Sequence, residues 1–151
     1  MGRLRMTMAS IRIIGDDLHP DEITSLLRCT PTESQSKGDE LVGKKDGRLR
    51  IAAFGRWSLK APAQEPGNLN AQVAWLLTAT TGDLDAWQSI AARYKVDLFC
   101  GLFMDQWNDG ESISAASLLA LGSRHIQLDL DIYGAAIDEP EGSSKMSNVR
   151  L

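Results

Sequence analysis

Two carboxylates separated by one residue, Asp129 and Asp131 in "QLDLDIY", are the side chains of this chain best spaced for acid–base work. Alternate residues of a strand share a face and stand about 7 Å apart, a separation at which one carboxyl can serve as acid and the other as base. A second acidic group lies in "MDQWNDGES", where Asp105, Asn108, Asp109 and Glu111 surround Trp107 and Gly110. That loop has three readings: a metal site, a polar turn, or a partner-binding loop centred on Trp107. An EF-hand calcium loop needs ligands at its first, third and fifth positions, Gly at the sixth and an acidic residue at the twelfth. Counted from Asp105, the third position is Trp107 and the twelfth is Ala116, so two ligands are missing. Acidic residues just before a helix are accounted for by turn chemistry and by the helix dipole. The polar turn is the favoured reading, and no metal or cofactor is expected.

The other candidates are weaker. His19 and His125 stand alone, outside any nucleophile, zinc or phosphate motif, and "KGDELVGKKDG" lacks the spacing of a phosphate loop. In "RLRIAAFGRWSLKA", Arg48, Arg50, Arg56 and Lys60 share one parity, while Leu49, Ile51, Ala53, Trp57 and Leu59 share the other. Read as one strand, this gives a basic face opposite an apolar one. The stretch is no nucleic-acid stripe, because the whole chain carries a net charge of −4.

The elements that must position these residues follow from periodicity. A chain of 151 residues, 43% hydrophobic and 24% charged, has room for one domain with a real core. "SIRIIGDDLHPDEITSLL" reads as strand, turn and helix, with Pro20 at the first helical position, His19 as a poor N-cap, and Leu18 and Ile23 as a hydrophobic staple. Helices are expected from Asn68 and Asp83, which act as caps, with Trp75 pointing off the first helix's apolar stripe. "KVDLFCGLFM" is nearly apolar on both faces and is read as a central strand. "ISAASLLALG" is a short helix, and "HIQLDLDIYG" alternates with Ile126, Leu128, Leu130 and Ile132 inward. The expected fold is therefore α+β: a single-domain sandwich spanning 9–134, with helices on one face of a mainly antiparallel or mixed sheet. Residues 1–8 are expected to be a flexible extension and 135–151 a disordered tail. Cys29 and Cys100, far apart and without CxxC spacing, are read as buried thiols. With no apolar run of membrane-spanning length, a soluble, cytoplasmic protein is expected.

The motifs "IRIIGDDLHPDEITSLL" at 11–27, "PT" at 31–32, "KGD" at 37–39, "GRWSL" at 55–59 and "LDLDIY" at 128–133 resemble those of the bacterial domain-of-unknown-function family numbered 4279. The resemblance implies a single small domain and transfers no catalytic residue.

No catalytic constellation assembles from these residues. The preferred reading is a non-enzymatic domain that binds another protein, an immunity-type protein that blocks a toxin being one version. The expected surface comprises Arg50, Arg56, Trp57, Trp107, Asp129 and Asp131, with Trp and Arg as anchors. The strands bearing Arg50, Arg56, Asp129 and Asp131 are expected in one sheet, with the two charge sets facing each other on its helix-free side. The alternative is a hydrolase or other small-ligand enzyme that uses the Asp129/Asp131 face. No nucleic acid and no membrane are expected as partners, and the oligomeric state is open.

Overall fold

The computed structural model describes residues 2–136. In chain order the elements are β1 (Gly2–Arg3), β2 (Met6–Gly15), α1 (Pro20–Leu27), β3 (Glu33–Gln35), β4 (Glu40–Val42), β5 (Leu49–Ile51), β6 (Gly55–Lys60), α2 (Leu69–Ala79), α3 (Leu84–Arg93), β7 (Lys95–Phe103), β8 (Asp109–Gly110), α4 (Ala115–Ser123) and β9 (Gln127–Tyr133). The main sheet runs β3-β6-β2-β7-β9. All its pairings are antiparallel except β7 with β9, which are parallel. A parallel pair cannot be joined by a tight turn, and here the crossover carries α4. The fold is α+β with a mixed sheet.

Period-two alternation sorts β2 into two faces. Ala9, Ile11 and Ile13 are fully buried, and they align with Leu59 and Trp57 of β6 and with Val96, Leu98 and Cys100 of β7. Ile23 and Leu27 of α1, Leu69, Val73 and Leu76 of α2, Trp87 and Ile90 of α3 and Leu121 of α4 join the same core. All four helices thus cover one face of the sheet. Burying side chains of this size contributes about 1.5–3 kcal/mol each. The helix starts follow capping chemistry. Asn68 accepts from the Ala71 N–H, Asp83 from the Asp85 N–H and Ser114 from the Ser117 N–H. His19 caps α1 with no side-chain hydrogen bond, and the staple pair Leu18 and Ile23 is fully buried.

A polar network pins β2 to α2. The Thr7 hydroxyl donates to Gln72 Oε1 at 2.8 Å and accepts from the Asn68 N–H at 2.9 Å. Gln72 Nε2 donates to the carbonyls of Thr7 at 2.9 Å and Pro62 at 3.0 Å. Both side chains are buried with their polar atoms satisfied, which removes the usual cost of burying them.

Several expectations are corrected here. Residues 2–8 belong to the fold rather than to a flexible extension: Gly2 and Arg3 pair with Asp109 and Gly110, Leu4 is buried, and β2 begins at Met6. The stretch 48–60 is not one strand. It breaks at Ala52–Phe54 into β5, which pairs only with β4 in a separate two-stranded sheet, and β6 in the main sheet. Leu49 and Ile51 consequently face solvent rather than the core. Just before β9, Ile126 is buried, and within it Leu128 is partly buried, but Leu130 and Ile132 are exposed. α4 does not reach over the far half of this outer strand, and its own Leu118 and Leu119 are left exposed as well. Cys100 is buried, whereas Cys29 is only partly covered, and both are free thiols. The tail reading for 135–151 falls almost wholly outside the described residues.

Candidate binding face of the sheet

The helix-free face is set by the register. Arg12 of β2 lies between Ser58 of β6 and Asp97 of β7, and Ser10 lies between Lys60 and Phe99. Further out, Phe99 aligns with Asp129, Gly101 with Asp131 and Phe103 with Tyr133. One end of this face is ionic and the other aromatic.

At the ionic end, Arg12 Nε and Nη2 donate to the two oxygens of Asp97 at 2.9 and 2.7 Å. This is a bidentate fork of the strong, directional kind. Lys95 Nζ stands 3.8 Å from Asp97 and 3.7 Å from Asp129, and Arg12 Nη2 is 3.9 Å from Asp129. The Arg12 guanidinium also sits 4.2 Å over the Phe99 ring, a cation–π contact. Asp97 is 1% exposed. Burial pushes its carboxyl above the ordinary range, Asp129 adds to the shift, and Arg12 opposes it. Asp129 moves the other way, held below the ordinary range chiefly by the hydrogen bond from Asp97, then by Gln127, Lys95 and Arg12.

At the aromatic end, Phe103 and Tyr133 stack with centroids 4.6 Å apart and planes 5° off parallel, and Arg5 lies 5.7 Å from the Phe103 centroid. Between the two ends is a hollow of about 340 Å³ lined by Met8, Phe99, Gly101, Phe103 and Tyr133, with Glu33 and Lys60 on its far side. Gly101 makes room for it. A Cβ at that position would lie 3.1 Å from Phe103 Cε2 and 3.7 Å from Met8 Cβ, so a side chain of any size would fill the space. A second hollow runs from Phe103 and Tyr133 past Arg5 to Asp105, at the base of the Trp107 loop.

The sequence-derived residues fall in different places. Asp129 and Asp131 lie on this face. Asp131 accepts from the Tyr133 hydroxyl at 2.6 Å, which raises the phenol's pKa, and Asp129 accepts from Gln127 at 2.7 Å. Arg56 lies on the same face but pairs with Glu33 of β3 at 3.3 Å, and β2 and β7 separate it from β9. Arg50 belongs to the other sheet, so the expected meeting of Arg50 and Arg56 with Asp129 and Asp131 does not occur. Trp57 is no surface anchor. It is fully buried on the helix side and donates its indole N–H to Thr24 Oγ1 at 3.1 Å. Trp107 is 93% exposed on a turn closed by Asp109, whose Oδ2 accepts the N–H groups of Asp105 at 2.7 Å and Gln106 at 2.8 Å. The acidic residues at 105–109 thus build the turn, and no cluster of metal-ligating side chains occurs among the described residues.

Sequence reasoning missed Arg12, Lys95, Asp97, Phe99, Phe103 and Tyr133. One signal was available. Asp97 is a lone charge inside "VDLFCGLF", and a charge within an apolar strand requires a partner; the parity of Arg12 on another strand supplies one.

The fold and this face define a small α+β protein whose sheet is packed on one side and open on the other, with an aromatic hollow beside an ion-pair cluster. The chain belongs to the family described as Domain of unknown function (DUF4279), which matches residues 5–135. No curated protein matches it, and no solved structure does. No helix among the described residues is long and apolar enough to cross a membrane.

Proposed function

We propose that this protein works by binding, without catalysis, and that it receives another protein on the helix-free face of its sheet. The observation that carries this reading is the open hollow lined by Met8, Phe99, Gly101, Phe103 and Tyr133 beside charges of both signs. Binding energy at protein interfaces concentrates where an aromatic or aliphatic anchor enters a pocket ringed by polar groups, and this hollow has the size and lining to take such an anchor. Trp107, held out on its turn beyond the same end of the sheet, is suited to act as a reciprocal anchor. Asp97, Asp129 and Asp131 are each engaged by a neighbouring side chain and do not line the hollow. That arrangement favours binding over acid–base work. An immunity-type protein that caps a toxin is one form this function takes.

The test compares the whole chain with Gly101→Leu, which fills the hollow, in capture from an extract of the source cell and in native mass spectrometry. Wild type should retain a defined protein that Gly101→Leu loses, while both variants keep the same circular dichroism. A bound small molecule displaced by Gly101→Leu, or capture indifferent to it, would replace this reading.

A further inference from the structure

The outer edge of β9 and the β4–β5 hairpin are complementary, and the complementarity runs between copies rather than within one. β9 is the last strand of its sheet, and none of the described strands pairs with its outer edge. The Tyr133 carbonyl accepts from the Met104 N–H, so the odd-numbered residues of β9 hydrogen-bond toward β7. Leu128, Leu130 and Ile132 therefore turn their backbone N–H and C=O outward. Leu130 is 48% and Ile132 61% exposed on one face of this edge, and Asp129 and Asp131 project from the other.

β5 is built to the opposite charge. The Arg48 carbonyl accepts from the Gly43 N–H, and the Ala52 N–H donates to the Asp39 carbonyl. The even positions thus bond to β4, and Leu49 and Ile51 turn their backbone groups away. Leu49 and Ile51 are each 60% exposed, with Val42 of β4 beside them at 67%. Arg48 and Arg50 form no ion pair among the described residues, and neither does Asp131.

We propose that β5 of one copy adds antiparallel to the β9 edge of a second copy, so that each hairpin extends its neighbour's five-stranded sheet. One register sets Arg48 against Asp131, Leu49 against Leu130, Arg50 against Asp129 and Ile51 against Leu128. The two apolar pairs then fall where both backbones point outward, which gives hydrogen-bonded positions. The two Arg–Asp pairs fall at the non-hydrogen-bonded positions, where opposed residues lie closest. Like-with-like pairing is disfavoured. Two centred antiparallel β9 strands oppose Asp129 with Asp131, and two β5 strands bring arginines together. This is strand addition to an exposed edge. Because each copy offers one donor and one acceptor surface, the contact either closes into a ring, the smallest being a reciprocal two-fold dimer, or runs on as an open chain. It uses the sheet's edge, apart from the open-face hollow of the proposed function.

The test uses the full chain with Asp131→Lys and Arg48→Glu, followed by sedimentation and light scattering across a wide concentration range. Wild type should gain mass with concentration, and added salt should oppose the gain. Each single reversal should weaken association at least about ten-fold, since it turns an attraction into like-charge repulsion. An equimolar mixture should recover it, because the new Lys of one variant then meets the new Glu of the other. A monomeric wild type at all concentrations would overturn the proposal. So would association indifferent to both reversals, or a mixture that recovers nothing.

Discussion

Replacing Asp97 by Ala tests how the open face is held. The substitution removes both hydrogen bonds from Arg12, at 2.9 and 2.7 Å. Hydrogen bonds to charged groups contribute about 1.5–3 kcal/mol each, giving a gross loss of about 3–6 kcal/mol. Breaking a fully buried ion pair costs about 3–5 kcal/mol, but the Arg12 side chain is 27% exposed and keeps its stack on Phe99. Water and the ring recover part of the loss. The expected net destabilisation is about 2–3 kcal/mol, a fall in Tm of about 4–12 °C for a chain of this size. Urea denaturation followed by circular dichroism measures it. The double variant Arg12→Leu/Asp97→Leu should recover most of the loss, since apolar replacement of a whole buried pair is often close to neutral. A loss below about 0.5 kcal/mol for Asp97→Ala, the range of ordinary surface substitutions, would refute the view that this pair organises the face.

Three further outcomes are expected. Asp97, with a folded-state pKa raised above the unfolded value, contributes stability that is full below the ordinary carboxylate range and lost as pH rises through the folded value; Asp129, with a lowered one, contributes stability present above that range and lost as pH falls. Asp129→Asn should therefore move the Asp97 titration downward in carboxyl carbon NMR, and an unmoved Asp97 would rule out the coupling. His19→Asp, at an N-cap with no side-chain bond, should stabilise by about 0.5–1 kcal/mol in thermal denaturation, and a loss would reveal a specific contact of His19. Trp57→Ala should cost about 3–5 kcal/mol, whereas Trp107→Ala should change stability by less than about 0.5 kcal/mol; comparable losses would contradict the burial of one and the exposure of the other.

The sequence by itself determined the α+β class, the four helices and most of the core. Those signals are local: capping residues, the Leu18/Ile23 staple, alternation in "SIRIIG" and the continuous apolar run of "VDLFCGLF" are complete within a turn or a few strand residues. The polar turn at 105–109 was also legible, because a carboxylate such as Asp109 that accepts from nearby N–H groups needs only its own neighbours. Tertiary structure decided everything that depends on where a strand lies in its sheet. The parity of 48–60 was real, yet the chain breaks at Ala52–Phe54 and sends β5 to another sheet. Arg50 therefore left the expected face, and Leu49 faces solvent. Parity likewise placed Leu130 and Ile132 on the helix side of β9, but the strand is outermost and both side chains stay exposed there. Thr7 and Gln72 carry no sequence sign of their roles, and the lone charge of Asp97 calls for a partner without naming Arg12, because the partners lie 65 and 85 residues away. Alternation tells which residues share a face of one strand; only the sheet's order tells what that face meets.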